Sequence, residues 1–178
     1  MQVRQPIPEY EKERIIFRGG PSQVVNYNIF AICFVMFLAT IFAPSFYNNF
    51  LAETYPDIKN SYLLISKLMF FVPIIWAFIV WLKVRCHRYI ITTERLKEED
   101  GVFSKTTEEL ELFRVKDITL IEPFTLRLFG CGNIVLDTSD KSTPIVVLDA
   151  IKGGRGVLDI LRANVAIMRQ RKGVREVD

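Results

Sequence analysis

A single histidine, His87, and three cysteines, Cys33, Cys86 and Cys131, are all the chain offers for imidazole or thiolate chemistry. No two cysteines stand at C-x-x-C spacing, and one histidine cannot complete a His/Cys set, so no metal site is expected. The three cysteines read as free thiols. Asp137, Asp140 and Asp149 lack the D-x-D-x-D-G spacing of a metal loop. Ser104, Ser139 and Ser142 have no nucleophile-elbow context, and Glu108, Glu109 and Glu111 read as a solvated strand face. The Gly130-Cys131-Gly132 run leads into an alternating stretch and not into a helix N-terminus, which disfavours a phosphate cradle. Gly130 and Gly132 read instead as a structural turn at a strand entry. Catalysis, a cofactor and a small-molecule substrate are therefore not expected. The residue types do support electrostatics at a surface. Lys83, Arg85 and Arg88 follow directly on a long apolar run that ends near Trp81. Such a collar attracts anionic lipid by on the order of 1 kcal/mol per residue, or marks topology alone, and Trp81 suits the membrane–water boundary. His87 lies inside this collar and is expected to be indifferent to pH.

The elements behind that collar follow from where charge is missing. The chain has 178 residues, half of them hydrophobic, with a net charge of +3. That charge is too small and too evenly mixed to argue for nucleic acid. No charged side chain occurs between Arg18 and Glu53, or between Lys67 and Lys83. Spanning a bilayer takes roughly 20 apolar residues, so two membrane helices are expected, over 23–45 and 62–82, joined by an external loop over 46–61. Pro44 is expected to mark the exit of the first and Pro73 to kink the second. Lys67 can snorkel to the headgroups. The first apolar run is too long for a signal peptide and follows the mixed-charge EKERIIFR, so it reads as an anchor. Basic residues crowd the N-terminal segment 1–22 and the exit of the second helix, whereas the loop between the helices holds Lys59 alone. Both termini are then expected in the cytoplasm, with the chain a multi-pass protein of the inner membrane. Ile15, Ile16 and Phe17 form an apolar knot that suits docking on the later domain or lying at the lipid surface.

From residue 83 onward the pattern changes to short alternating runs. Tyr89 and Ile91, Leu110 and Leu112, Ile118 and Leu120, then Ile134, Leu136 and Thr138, then Ile145 and Val147 each point to one face of a strand. Turn residues separate them, and a barrel or sandwich of about seven antiparallel strands over 83–178 is expected. An amphipathic helix with its stripe at Val157, Leu161, Val165 and Met168 closes the chain. It carries Asp159 near its start and Arg169, Arg171 and Lys172 near its end, as the helix dipole favours. The expected fold class is a membrane α-hairpin followed by a mainly-β domain with a C-terminal capping helix.

The opening RYIITTERL, the turn at Asp100-Gly101 and the stretch LFRVKDITLIEPFTLRLFGCGNIVL, 112–136, resemble the bacterial membrane proteins with a pleckstrin-homology-like domain, of the YdbS type. The resemblance implies a PH-like barrel held next to the membrane and offers little about activity. Eukaryotic pleckstrin-homology domains are associated with phosphoinositides through basic residues around the first hairpin. Here Arg95 and Lys97 are followed by Glu98, Glu99 and Asp100, which repel an inositol phosphate. Related folds accept extended peptides by strand addition beside the fifth strand, which implies a groove at Ile118, Leu120, Val157, Leu161 and Val165. The resulting expectation is a membrane-tethered interaction or scaffold module that binds a protein partner or a second copy of itself. An accessory subunit of a transporter or enzyme complex and an anionic-lipid sensor are the alternatives.

Overall fold

The computed structural model describes residues 13–173 and divides into two compact units. One unit, Gln23–Val84, is a pair of helices. A short 3-10 turn at Gln23–Asn26 leads into α1, Tyr27–Phe46, and α2 runs over Lys59–Cys86, its last two residues belonging to the other unit. Both segments are long and apolar enough to cross a membrane. Hydrogen bonds at each end make the pair antiparallel. Gln23 Nε2 and Asn26 Nδ2 donate to the carbonyls of Trp81 (3.0 Å) and Val80 (3.4 Å). At the far end Tyr62 Oη donates to the Ala43 carbonyl (3.3 Å) and its ring lies 4.9 Å from that of Tyr47. Phe37 and Phe70 meet midway, 5.0 Å apart. Large apolar side chains such as Ile32, Phe34, Phe42, Phe71 and Trp76 point outward around the pair. Water would penalise that surface heavily.

Pro44 does not end the first helix as expected. It lies inside α1, and the chain continues through a π-helical turn, Tyr47–Leu51. Tyr47 N–H donates back to the carbonyls of Ala43 and Pro44 where the helix passes into this wider turn. Pro73 is buried inside the continuous α2.

The other unit is the β-domain, and its first strand comes from an unexpected place. β1, Ile15–Gly19, precedes the helices, whereas β2, Arg88–Thr92, follows them. The two pair antiparallel, with Gly19 opposite Tyr89 and Arg18 opposite Ile90. The apolar knot thus docks on the domain, and Phe17 packs against its core. β3, Arg95–Asp100, and β4, Thr106–Glu111, complete a sheet in the order β1-β2-β3-β4. A second sheet, β5-β6-β7, comprises Val115–Ile121, Cys131–Thr138 and Ile145–Lys152. The seven described strands form these two antiparallel sheets and not one closed barrel. A short helix α3, Phe124–Leu128, joins β5 to β6, and the long α4, Gly154–Lys172, follows β7.

The core joins both sheets to α4. Tyr89, Ile91, Leu96, Leu110, Ile134, Leu136, Leu148 and Leu161 are buried in one cluster with the α4 stripe Val157, Val165 and Met168. The expected inward faces hold with two exceptions. β2 does not alternate, since Ile90 and Thr92 are buried along with Tyr89 and Ile91. In β7 the expected face is reversed. Ile145 and Val147 are exposed, whereas Leu148 and Ala150 are buried and Val146 packs on the core. An all-apolar IVVL run has no period of its own, so pairing decides: Leu136 stands opposite Val146 and Ile134 opposite Leu148.

Candidate functional site

The interesting end of the β-domain is the one where the chain leaves for the helices and returns. Ser22 N–H donates to the Ala150 carbonyl (3.0 Å), and Ala150 N–H donates to Asn133 Oδ1 (2.8 Å). Asn133 occupies an irregularity in the β6–β7 ladder, between Gly132 and Ile134. Its side chain holds the fully buried Ala150, which adopts a positive φ of 44°. That tie is non-local, and no sequence pattern announces it. Beside it, Gly20 passes so close to the strand returning at His87 that a Cβ on Gly20 would lie 2.7 Å from the His87 carbonyl oxygen. Only a glycine allows the outgoing and incoming chains this approach.

His87 is not the bystander expected. Its Nε2 lies 3.0 Å from Glu98 Oε1 and its Nδ1 3.4 Å from Asp100 Oδ1. The Glu98 contact raises the imidazole pKa above its ordinary 6.5 despite the opposing effect of burial, and Asp100 raises it further. The ring packs edge-on against Tyr89, 4.7 Å between centroids. Burial pushes the Tyr89 phenol up to about 12, and its Oη accepts the Asp149 N–H (3.2 Å). Burial also raises the Asp149 carboxyl, with His87 pulling it back.

The collar residues are all exposed: Trp81 and Lys83 near the end of α2, Arg85 in its last turn, and Arg88 opening β2. Arg85 and Arg88 line an open hollow of about 330 Å³ with Lys105, Glu99 and Asp100. Two carboxylates among three cations make it a poor receptacle for a phosphate. Arg95 is committed to Glu13 and Glu109, and Lys97 to Glu109 (2.8 Å), so the first hairpin offers no free cationic cluster. Among the described residues no group of His, Cys, Asp and Glu side chains is placed to hold a metal ion.

The implied groove residues do come together, but as core. Ile118, Val157, Leu161 and Val165 are buried, and Leu120 packs on the same cluster. Their side chains are not available to a ligand. The outer edge of β5 is also partly capped, because Ile118 N–H donates to Asp117 Oδ1 (2.7 Å) and its carbonyl accepts from Arg162 of α4 (3.5 Å). Gly130 has the left-handed φ of 67° expected of a turn glycine. Gly132 is needed for space, since a Cβ there would lie 2.9 Å from Leu120 Cδ1 and 3.4 Å from the Ile121 carbonyl.

Exposed apolar side chains lie elsewhere. Phe103 stands fully in solvent in the loop joining β3 to β4. On α3, Leu126 is buried, while Phe124 (82% exposed), Leu128 (71%) and the following Phe129 (57%) face outward. Nothing in the sequence periodicity singled these residues out, because a helix of one turn has no measurable face.

No curated protein matches the chain. Among solved structures it is similar to a DUF1696 family protein with a pleckstrin-homology domain from Shewanella loihica PV-4. The two are 18% identical over 48% of this chain and 73% of that one, with a TM-score of 0.37. The family match covers residues 29–165, which takes in nearly all of both apolar helices and the β-domain from β2 through most of α4, but not β1. On that match the chain belongs to the bacterial PH domain family.

Proposed function

We propose that the protein is a membrane-tethered interaction module, whose two helices cross the bacterial inner membrane and hold the PH domain at its cytoplasmic face to bind a protein partner or a second copy. The observation that carries this reading is the position of the helices between two paired strands. β1 and β2 are hydrogen-bonded neighbours, so the chain leaves the domain for the helices and returns to it at adjacent points. Apolar side chains all round the helix pair suit lipid, and the basic collar suits an inner-leaflet surface. The partner surface favoured by the geometry is the edge strand β7, where Ile145 and Val147 are exposed, and not the capped edge of β5.

Full-length tagged protein, extracted from its native membrane in mild detergent and crosslinked through lysine, tests this. Crosslinks from Lys141, in the turn before β7, to another protein or to a second copy support the interaction role. A stoichiometric foreign partner favours an accessory subunit, and self-crosslinks favour a scaffold. A chain without crosslinks loses the interaction role, and one that alkaline carbonate strips from the membrane loses the tether.

A further inference from the structure

The apolar tips of the β-domain share the end at which the chain departs for the helices. β3 runs back beside β2, with Glu99 opposite Arg88, so the loop carrying Val102 and Phe103 emerges next to the point where the chain returns from α2. In the other sheet Cys131 stands opposite Lys152, Gly153 N–H donates to the Gly130 carbonyl (3.0 Å), and Ala150 holds Ser22. The α3 loop therefore emerges next to the point where the chain leaves for α1. Two loops distant in sequence thus present exposed bulky apolar side chains near the same pair of chain crossings. Lys105 lies two residues after Phe103, in the hollow it shares with Glu99 and Asp100, and Arg127 lies within α3, so a cation lies close to the aromatic group of each tip.

We propose that these tips, Phe103 on one loop and Phe124, Leu128 and Phe129 on the other, insert into the lipid interface. The occupant is a lipid surface because the chain itself continues from this end into the two apolar helices. A soluble partner docking here would compete with the bilayer for the same space. Phenylalanine and leucine side chains gain by leaving water for the acyl boundary, while the neighbouring Lys105 and Arg127 stay among anionic headgroups. The short α3 is suited to this because Leu126, buried beneath it, holds the helix to the domain while its outer face stays free. This inference rests on the membrane-tethered reading.

The test places the photoreactive phenylalanine analogue benzoylphenylalanine at Phe103, Phe124 or Phe129 in the full-length protein in native membranes. Ile145 is the control site, as exposed but at the start of β7. Lys152 at the other end of that strand is roughly 20 Å away at about 3.3 Å per residue. The expected result is lipid adducts, read by mass spectrometry, several-fold more abundant at the three tip sites than at Ile145. Equal lipid labelling at tip and control sites overturns the proposal, and so do adducts to protein at the tips. Carbonate extraction of the same samples separates the two ideas. A chain that stays in the membrane without lipid adducts at the tips sinks the insertion alone, whereas a chain that washes off sinks the tether as well.

Discussion

At the scale of single residues, His87 and Gly20 decide more than their neighbours in sequence suggest. His87 sits where α2 gives way to β2, between Glu98 and Asp100 of β3. Its pKa is raised in the folded domain, so the folded state binds the proton more tightly than the unfolded one. The stabilisation is then fully present below pH 6.5 and is lost as pH rises through the raised value. Thermal melts of the full-length protein in detergent should show the midpoint falling as pH rises above 6.5 and through the raised value, and the His87→Gln protein should lose that slope. Parallel slopes for the two proteins would sink the assignment. The sequence shows a histidine among cations and acids but not which strand comes to face it, and so the local reading of a bystander failed. Gly20 gives a sharper contrast. A valine there meets the His87 carbonyl and should cost about 1–3 kcal/mol by forcing the paired chains apart. Lys97→Ala, which removes one surface contact to Glu109, should leave the melting midpoint unchanged.

At the scale of elements, what could be read in advance was what repeats. The stripe of α4 lies buried residue for residue, since Val157, Leu161, Val165 and Met168 recur at helical spacing and meet both sheets. Leu161→Ala should cost about 2–5 kcal/mol by opening a cavity at the centre of that contact. Ile167→Ala, on the exposed face of the same helix, should stay within about 0.5 kcal/mol of wild type. Equal denaturant midpoints for these two variants would remove α4 from the core. Uniformly apolar strands were opaque for the opposite reason. In β7 the choice of inward residue belongs to β6, which pairs Leu136 with Val146, and the reversed face leaves Ile145 and Val147 outside. The implied groove failed on packing. Side chains that pair a strand with a helix tightly enough to make a core leave no slot between them, and Asp117 and Arg162 already occupy the polar groups of Ile118. The tie of Asn133 to Ala150 was illegible because its partners lie far apart in the chain.

At the scale of the whole chain, the sequence displays two apolar runs followed by alternating strands, and the natural reading puts an anchor before a domain. The observed connectivity places the helices inside the domain, between its first and second strands. Hairpin signals are short-range, and a pair of strands interrupted by two long helices sends none, which is why Ile15–Gly19 read only as an apolar knot. The connectivity has a direct consequence. Paired neighbours such as Gly19 and Tyr89 force the outgoing and incoming chains to start from one place, so helices that cross a bilayer between them must cross it an even number of times. Deleting the N-terminal segment should therefore cost the domain an edge strand and the packing of Phe17, whereas deleting the helices should cost it nothing within its own core. Replacing residues 21–86 by a short Gly/Ser linker, from Gly20 to the adjacent His87, should give a domain with a cooperative thermal transition and strong amide protection in β2, β6 and α4. A chain beginning at Arg85, which lacks β1, should melt at a lower temperature and lose protection in β2 first. If the two proteins melt alike, β1 is dispensable and the helices are merely an anchor placed before the domain. If the linked protein fails to fold while the intact chain folds, the helices contribute to the domain more than the joining of its first two strands.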